Sequence, residues 1–115
     1  MSGACMLCRT AALAKVGGFD ERYFLYWEDA DLCRRLRSKG YSIGYVPTAT
    51  VVHAVGGSTR SARALAIREF HRSAFLYYAT HVARGPWERA LARALLATRC
   101  RWKLLSARIA RRQGP

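Results

Sequence analysis

The 115-residue sequence lacks several features that would assign it to a familiar class. It has no apolar run near the roughly 18 residues of a transmembrane helix, and it does not begin with the charged and apolar regions of a signal peptide. It also has no internal repeat or low-complexity segment. With 51% apolar residues the chain can bury one small core, which excludes a disordered protein. We therefore expect a small cytoplasmic domain.

Paired cysteine motifs that would hold zinc are also missing. Cys5 and Cys8 have the CxxC spacing, but no second pair follows at zinc-finger distance, and residues three apart on a strand point to opposite faces. Cys33 and Cys100 are expected to be small apolar residues on helices. Neither a zinc site nor a redox pair is predicted.

Acidic residues are scarce, and most of them lie together. The chain has seven against 20 Lys and Arg, a net charge of +13, yet residues 1–31 carry −2 and residues 32–115 carry +15. Five of the seven lie within residues 17–41: Asp20, Glu21, Glu28, Asp29 and Asp31. Gly17 and Gly18 permit a turn before them. An aromatic run beside them is expected to bury a large apolar surface: Phe19, Tyr23, Phe24, Leu25, Tyr26 and Trp27.

The acidic residues open a predicted helix, Asp29–Ser38, with Leu32 and Leu36 at helical spacing and Gly40 just past its end. Carboxylates in a first turn complement the helix dipole, which would explain them without any catalytic role. A carboxylate beside an aromatic wall is also a suitable general base. The residues alone leave both explanations open, and helix-start chemistry is the commoner one.

Four motifs in order give the chain a family resemblance: SGACMLCR, VGGFDERYFLYWEDADLCRRLRSKGY, YVPTATVVH and VGGST. Residues 2–58 resemble the C-terminal half of the catalytic domain of family 2 glycosyltransferases, in the branch that includes rhamnosyltransferase-like enzymes. The resemblance implies an α/β fold, a partial GT-A-like (Rossmann-like) fragment over residues 1–85. A basic amphipathic helical tail over residues 86–115 would follow.

The resemblance also implies a reaction: inverting transfer of a sugar from a nucleotide-sugar donor to an acceptor hydroxyl. The second acid of the family's "ED" pair is the catalytic base and corresponds to Asp29, with Glu28 beside it. Trp27 and Tyr26 would form an apolar platform for the acceptor. The acceptor would be a saccharide or a lipid-linked sugar in cell-surface polysaccharide or glycolipid synthesis.

His53 ends the YVPTATVVH motif, where the family can place a histidine ligand of a divalent metal. By resemblance it would bind Mn²⁺ or Mg²⁺, and imidazole suits Mn²⁺ better. A hydrogen-bonded or solvated structural histidine is the alternative. The loop that follows offers Ser58, Thr59 and Arg60 to the donor diphosphate, or it simply caps the next helix.

The resemblance does not extend to a donor-binding half. The upstream acidic DXD-type motif of the family has no counterpart, since the only D-x-D is Asp29-Ala30-Asp31. We expect a fragment of the enzyme, and the sequence leaves open whether the chain alone binds a donor or is active.

The remaining pattern predicts short strands and helices. Strands are predicted at residues 3–8, 41–46 and 49–53, and Thr10 is expected to cap a helix through Val16. Residues 61–82 are predicted to be helical, with His71 structural, and Pro86 is expected to begin a further helix.

The last helix carries an apolar stripe at helical spacing: Leu91, Leu95, Thr98, Trp102, Leu105 and Ile109. Basic residues cover its other positions. Such a helix either lies on an anionic membrane surface, which would make the protein peripheral at the inner face of the membrane, or docks on its own domain. A non-enzymatic membrane-surface or nucleic-acid-binding module is the alternative function. Nucleic acid is less favoured, because no DNA- or RNA-binding motif accompanies the charge.

Overall fold

The computed structural model describes residues 3–53 and 62–112, and its regular structure there is four α-helices. They are α1 (Thr10–Val16), α2 (Glu28–Ser38), α3 (Arg63–His81) and α4 (Pro86–Arg112). The chain divides into two compact units, the first Met1–Val55 and the second Gly56–Pro115. The division into a family domain over 1–85 and a tail over 86–115 stays a prediction.

The core of the first unit lies where α1 packs against α2. Leu32 is completely buried, and Ala12 and Leu36 are nearly so. These residues recur at helical spacing, so each helix turns one apolar side toward the other. Partly buried apolar side chains surround them: Met6, Leu13, Val16, Tyr41 and Ile43.

Helix α2 ends as its sequence predicts, whereas α1 begins differently. Gly40 has φ of 84°, and the amide of Tyr41 donates to the carbonyl of Leu36 at 3.1 Å, which closes the helix with a left-handed turn. The predicted cap at Thr10 is wrong. Arg9 is the N-cap residue of α1 and makes no side-chain capping hydrogen bond.

The second unit is formed by α3 and α4, which pack against each other. The guanidinium of Arg93 lies 5.4 Å from the centre of the Phe75 ring. Pro86 opens α4 as predicted, and the Glu88 carboxylate reaches back to accept the amide of Arg84 at 2.7 Å. This acid at the start of the helix satisfies a backbone donor that the helix itself leaves unpaired.

The predicted α/β fold is wrong for the described residues, none of which forms a β-strand. The three segments predicted as strands, 3–8, 41–46 and 49–53, are non-helical but belong to no β-ladder. A strand needs the N–H and C=O groups of a neighbouring strand, and β-branched or apolar composition cannot supply them. Leu7 and Val52 are accordingly almost wholly exposed instead of buried in a sheet.

Candidate functional site

A strained turn precedes α2. Tyr26 and Trp27 have φ of 66° and 71°, in the left-handed region that non-glycine residues seldom occupy. Each such residue costs on the order of 1–3 kcal/mol and persists only where its surroundings hold it. Trp27 is the N-cap residue of α2, and its carbonyl accepts the amide of Asp31 at 2.9 Å. The turn therefore fixes the direction in which the acidic first turn of α2 begins.

Asp29 lies in that first turn with both carboxylate oxygens bound by backbone amides. The amide of Gly3 donates to Oδ2 at 2.6 Å, and the amide of Ala30 donates to Oδ1 at 2.7 Å. The side chain is half-buried. Because a carboxylate oxygen has two lone pairs, each oxygen can still accept a further hydrogen bond. The carboxylate is thus held in one orientation and keeps the capacity to accept a hydrogen bond from a bound hydroxyl group.

Gly3 approaches Asp29 so closely that a side chain would not fit without movement. A Cβ atom at position 3 would lie 3.1 Å from Cβ and 3.3 Å from Oδ2 of Asp29. Contacts this short require a neighbour to shift. Glycine is therefore needed for the close approach of the backbone, and its position is coupled to that of the carboxylate.

Glu28 stands beside Asp29 in a different environment. It is half-buried, and its Oε2 atom is shielded from solvent without a hydrogen-bond partner among residues 3–53 and 62–112. A buried carboxylate oxygen of this kind is unfavourable. The two acids of the "ED" pair are therefore distinguished by their backbone contacts: amides orient Asp29, whereas Glu28 keeps an acceptor unused within the described residues.

Asp31, the third acid, has a structural role. It is 1% exposed, and its Oδ2 accepts the Nε–H of Arg35 at 2.7 Å, one turn further along α2. Arg35 also donates through Nη1 to the carbonyl of Val16 at 2.7 Å, at the end of α1. The ion pair therefore ties α2 to α1. The bond from Arg35 to α1 also fixes the helix that carries Asp29, so Asp31 helps to orient the acidic turn.

The aromatic wall beside the acids is only partly as predicted. Tyr23 is buried, and Leu25, Tyr26 and Trp27 are half-buried. Phe19 and Phe24, in contrast, are 53% and 67% exposed, so the expectation that the whole run buries its surface is wrong for these two. Tyr26 and Trp27, the predicted acceptor platform, immediately precede the acidic turn.

Two side chains near the site have pKa values that are shifted by their surroundings. The Arg22 guanidinium, 2.6 Å from Asp20, lowers the pKa of that carboxyl group. Burial of the thiol, aided by the negative charge of Asp29, raises the pKa of Cys33. Cys33 is therefore a protonated, weakly nucleophilic thiol at neutral pH. Cys5, Cys8, Cys33 and Cys100 are all free thiols.

The predicted metal ligand His53 does not lie in a metal site formed by the described residues. His53 is exposed and follows a non-helical segment. Within residues 3–53 and 62–112, no group of three or more His, Cys, Asp or Glu side chains is arranged to hold a metal ion. The described residues therefore do not form a metal site by themselves. Ser58, Thr59 and Arg60 lie outside the described residues.

The sequence matches a known family over most of its length. The family described as "Glycosyltransferase like family 2" matches residues 1–78, which include α1, α2, the acidic turn and most of α3. The chain belongs to this glycosyltransferase family.

Two of three relatives of this glycosyltransferase chain are named rhamnosyltransferases, and the third is named a glycosyltransferase. It is 44% identical over 79 residues to the N-acetylglucosaminyl-diphospho-decaprenol L-rhamnosyltransferase of Mycobacterium tuberculosis (strain CDC 1551 / Oshkosh), which covers 69% of this chain and 26% of the relative. It is 40% identical over 78 residues to rhamnosyltransferase WbbL of Escherichia coli (strain K12), covering 68% of this chain and 30% of the relative. The pre-mycofactocin glycosyltransferase of Mycobacterium tuberculosis (strain CDC 1551 / Oshkosh) matches over 50 residues at 46% identity, 44% of this chain and 10% of that protein.

The glycosyltransferase chain thus spans less than a third of the length of the two rhamnosyltransferases. The family resemblance read from its motifs is confirmed. No solved structure matches it significantly. Across the described parts of the chain, no helix has both the length and the apolar character that crossing a membrane requires.

Some contacts that shape the candidate site have no clear signal in the sequence. Gly3 was assigned only to a strand, and no local pattern shows that its amide reaches a residue 26 positions away. The pair Asp31 and Arg35 did carry a signal, because opposite charges four residues apart face each other on a helix. The positive φ of Tyr26 and Trp27 had no signal, since neither is a residue type that favours it.

His71 behaves as predicted. It is buried in α3, and Nδ1 lies 2.7 Å from the carbonyl of Ile67, one turn earlier in the same helix. This intrahelical contact orients the ring without any ligand and supports a structural assignment.

Proposed function

We propose that the chain contributes the acceptor side of an inverting glycosyltransferase site with Asp29 as general base. The acceptor hydroxyl would give its proton to the Asp29 carboxylate while its oxygen attacks the anomeric carbon of the donor. The bond from that carbon to the donor diphosphate breaks at the same time, and the nucleoside diphosphate leaves with the electron pair. The new glycosidic bond then has inverted configuration.

The observation that carries the proposal is the pair of backbone hydrogen bonds that orients the Asp29 carboxylate. A general base has to present an oxygen to the acceptor hydroxyl in a fixed direction, because proton transfer depends on hydrogen-bond geometry. Amides from Gly3 and Ala30, 2.6 and 2.7 Å away, provide that direction. Asp31, by contrast, is occupied by Arg35.

The sugar and its acceptor follow by analogy with the relatives. Family membership implies a sugar donor and an acceptor, and two relatives that match over 78–79 residues are named for rhamnosyl transfer. We propose a nucleotide-activated rhamnose as donor and a hydroxyl of a saccharide or lipid-linked sugar as acceptor. Trp27 and Tyr26 would face a sugar ring, and Glu28, the half-buried neighbour of Asp29, would bind one of its hydroxyl groups.

The donor diphosphate would be bound by Ser58, Thr59 and Arg60, which supply hydroxyl groups and a positive charge. A divalent ion, Mn²⁺ or Mg²⁺, would neutralise charge on the leaving group when bound. His53 would provide one ligand to it, and the other ligands would come from residues outside those described.

A chimeric enzyme tests the assignment of Asp29. Residues 1–78 would replace the matching segment of Escherichia coli rhamnosyltransferase WbbL, and rhamnosyl transfer to the natural acceptor of that enzyme would be measured. We expect Asp29→Asn to lower kcat at least about 100-fold, since a positioned base contributes about 10²–10⁴-fold. Asparagine is nearly isosteric but replaces one of the two acceptor oxygens with an NH2 group, so circular dichroism of the chimera with and without the substitution would check that folding is preserved.

Glu28→Gln is the matched control, because it removes the same charge from the neighbouring residue. We expect it to raise KM for the acceptor and to change kcat less than Asp29→Asn does. Full activity of the Asp29→Asn chimera would contradict the base assignment. A folded chimera that transfers no sugar with Asp29 intact would contradict the equivalence of the two segments.

A further inference from the structure

Helix α4 exposes an apolar stripe that the second unit does not cover. Its apolar members recur at intervals of four, seven, three and four residues and are each 51–62% exposed: Leu91, Leu95, Trp102, Leu105 and Ile109. The stripe extends over about 27 Å of helix, at roughly 1.5 Å per residue. A row of large apolar side chains this long on a charged helix is a surface that needs a partner.

A different side of α4 already packs within the unit. Partly buried positions recur at three- and four-residue intervals on that side: Ala92, Leu96, Cys100, Leu104 and Ala107. Arg93, next to this row, contacts Phe75 of α3. Helical spacing separates the centres of the two rows by well over a quarter turn. Packing of α4 on α3 therefore leaves the apolar stripe uncovered.

The charges of α4 flank the stripe. The helix has eight basic residues and one acidic residue, a net charge of +7. Arg101 and Arg108 lie along one edge and Arg99 along the other, and all three are exposed. The ammonium group of Lys103 lies 5.2 Å from the ring of Trp102. A partner for this surface must therefore accept apolar side chains and provide negative charge around them.

We propose that α4 binds in the plane of an anionic lipid membrane, with Leu95, Trp102 and their stripe neighbours inserted at the acyl boundary. The flanking arginines would lie at the lipid headgroups, where phosphates provide the complementary charge. The proposal does not depend on Asp29 or on sugar transfer. It would place the chain at a membrane surface, in reach of a lipid-linked acceptor.

Other partners would complement either the charge or the apolar stripe of this surface, but not both. A nucleic acid would neutralise the arginines, but it would leave the leucines and Trp102 in water. A second copy of the chain would cover the apolar stripe, but it would bring two helices of charge +7 together. An anionic lipid surface meets both requirements with one geometry.

Vesicle binding of the full 115-residue chain tests the proposal. We would measure co-sedimentation with vesicles of equimolar phosphatidylglycerol and phosphatidylcholine, and with vesicles of phosphatidylcholine alone. We expect binding to the anionic vesicles to be at least about tenfold tighter. Tryptophan emission should shift to shorter wavelength and become shielded from acrylamide on the anionic vesicles.

Paired variants separate apolar insertion from simple charge attraction. Leu95→Gln with Trp102→Gln removes apolar surface at exposed sites without changing charge, and we expect binding to weaken at least about tenfold. Ala90→Gln with Ala97→Gln makes two neutral changes at exposed sites off the stripe, and we expect a change within about twofold. Circular dichroism would show that both pairs keep their helices. Asp29→Asn should bind vesicles like the unchanged chain.

Four results would overturn the proposal. They are unchanged binding after the Leu95 and Trp102 substitutions, equal binding to both vesicle types, the absence of a fluorescence shift, and an equal loss in the alanine-site control. Tight duplex DNA binding without vesicle binding would assign the charge to nucleic acid instead. A vesicle-independent dimer that the stripe substitutions dissociate would assign the stripe to self-association.

Discussion

The two units of the chain use charge in opposite ways. In the first unit three of the five acids have a fixed environment: backbone amides hold Asp29, Arg35 holds the buried Asp31, and Arg22 holds Asp20. In the second unit the basic residues of α4 are many and largely exposed. Fixed carboxylates suit a reaction that needs a base at one point, whereas dispersed cations suit an extended anionic surface.

This difference also affects what mutation should reveal. The first unit has a small core built around one completely buried leucine, so changes there should alter stability and the geometry of the site. The second unit presents leucines of α4 to solvent, so changes there should alter binding and leave stability nearly unchanged.

A leucine-to-alanine substitution should change the free energy of unfolding far more in the first unit than in the second, and this is the largest difference we expect. Leu32→Ala removes a side chain with no exposed surface, and we expect the free energy of unfolding to fall by about 3 kcal/mol. Leu95→Ala removes a side chain that is 62% exposed, and we expect a change within about 0.5 kcal/mol. Urea denaturation followed by circular dichroism measures both. Equal effects would contradict the placement of the core.

The second largest effect should be a difference in stability contribution between two ion pairs of the first unit. Asp31→Asn leaves the partly buried Arg35 without its counter-charge, and we expect a loss of about 2 kcal/mol in the free energy of unfolding, below the about 3–5 kcal/mol of a fully buried pair. Asp20→Asn is the matched control, because the Arg22 side chain is 61% exposed, and we expect a loss of about 0–1 kcal/mol. A larger loss in the control would reverse the assignment of which pair is structural.

The direction of the Asp20 pKa shift predicts how the contribution of the Asp20–Arg22 pair to stability depends on pH. Because Arg22 lowers the pKa of Asp20 in the folded chain, this pair stabilises the protein above the ordinary aspartate pKa of about 4. The difference in stability between the unchanged chain and Asp20→Asn should therefore shrink as the pH falls below that value.

Gly3→Ala should produce a smaller, local change. The added methyl group would meet Asp29 at 3.1 Å, so the segment or the carboxylate has to move, and we expect a loss of about 1 kcal/mol in stability. Amide hydrogen exchange at residue 3 should become faster as the 2.6 Å bond weakens. Gly44→Ala is the control, because a Cβ there meets no atom within 4 Å. Slowed exchange at residue 3 would contradict the close approach.

Alkylation of Cys33 should show the smallest effect. Its raised pKa lowers the thiolate fraction, so iodoacetamide should react more slowly at Cys33 than at the exposed Cys5. Asp29→Asn removes a negative charge that raises this pKa, so alkylation of Cys33 should become faster. Mass spectrometry of the labelled peptides gives both rates, and an unchanged Cys33 rate in the variant would show that the two groups are not coupled.

The helices were largely predictable from sequence because they depend on local patterns. Apolar spacing, acids near the start and a glycine past the end predicted α2 to within one residue of its observed start, and Pro86 predicted the start of α4. Strands were not predictable in this way. Whether residues 49–53 form a strand depends on a partner strand, and sequence propensity contains no information about that partner.

Some features of the candidate site could also be predicted from local sequence, and others could not. Asp29 and Glu28 could be selected from the motif, and their position at the start of α2 is local. The contact that orients Asp29 could not be selected, because it joins residues 26 positions apart through a backbone atom. The roles of His53, Ser58, Thr59 and Arg60 stay predictions.

That backbone contact has a practical consequence for mapping the site. An alanine scan reports what is lost when side chains are deleted, and the group that Gly3 offers to Asp29 is present in every amino acid except proline. The scan would detect position 3 only through the methyl group it adds. Replacing the amide nitrogen with an ester oxygen by chemical synthesis would delete the donor itself and report its effect on Asp29 directly.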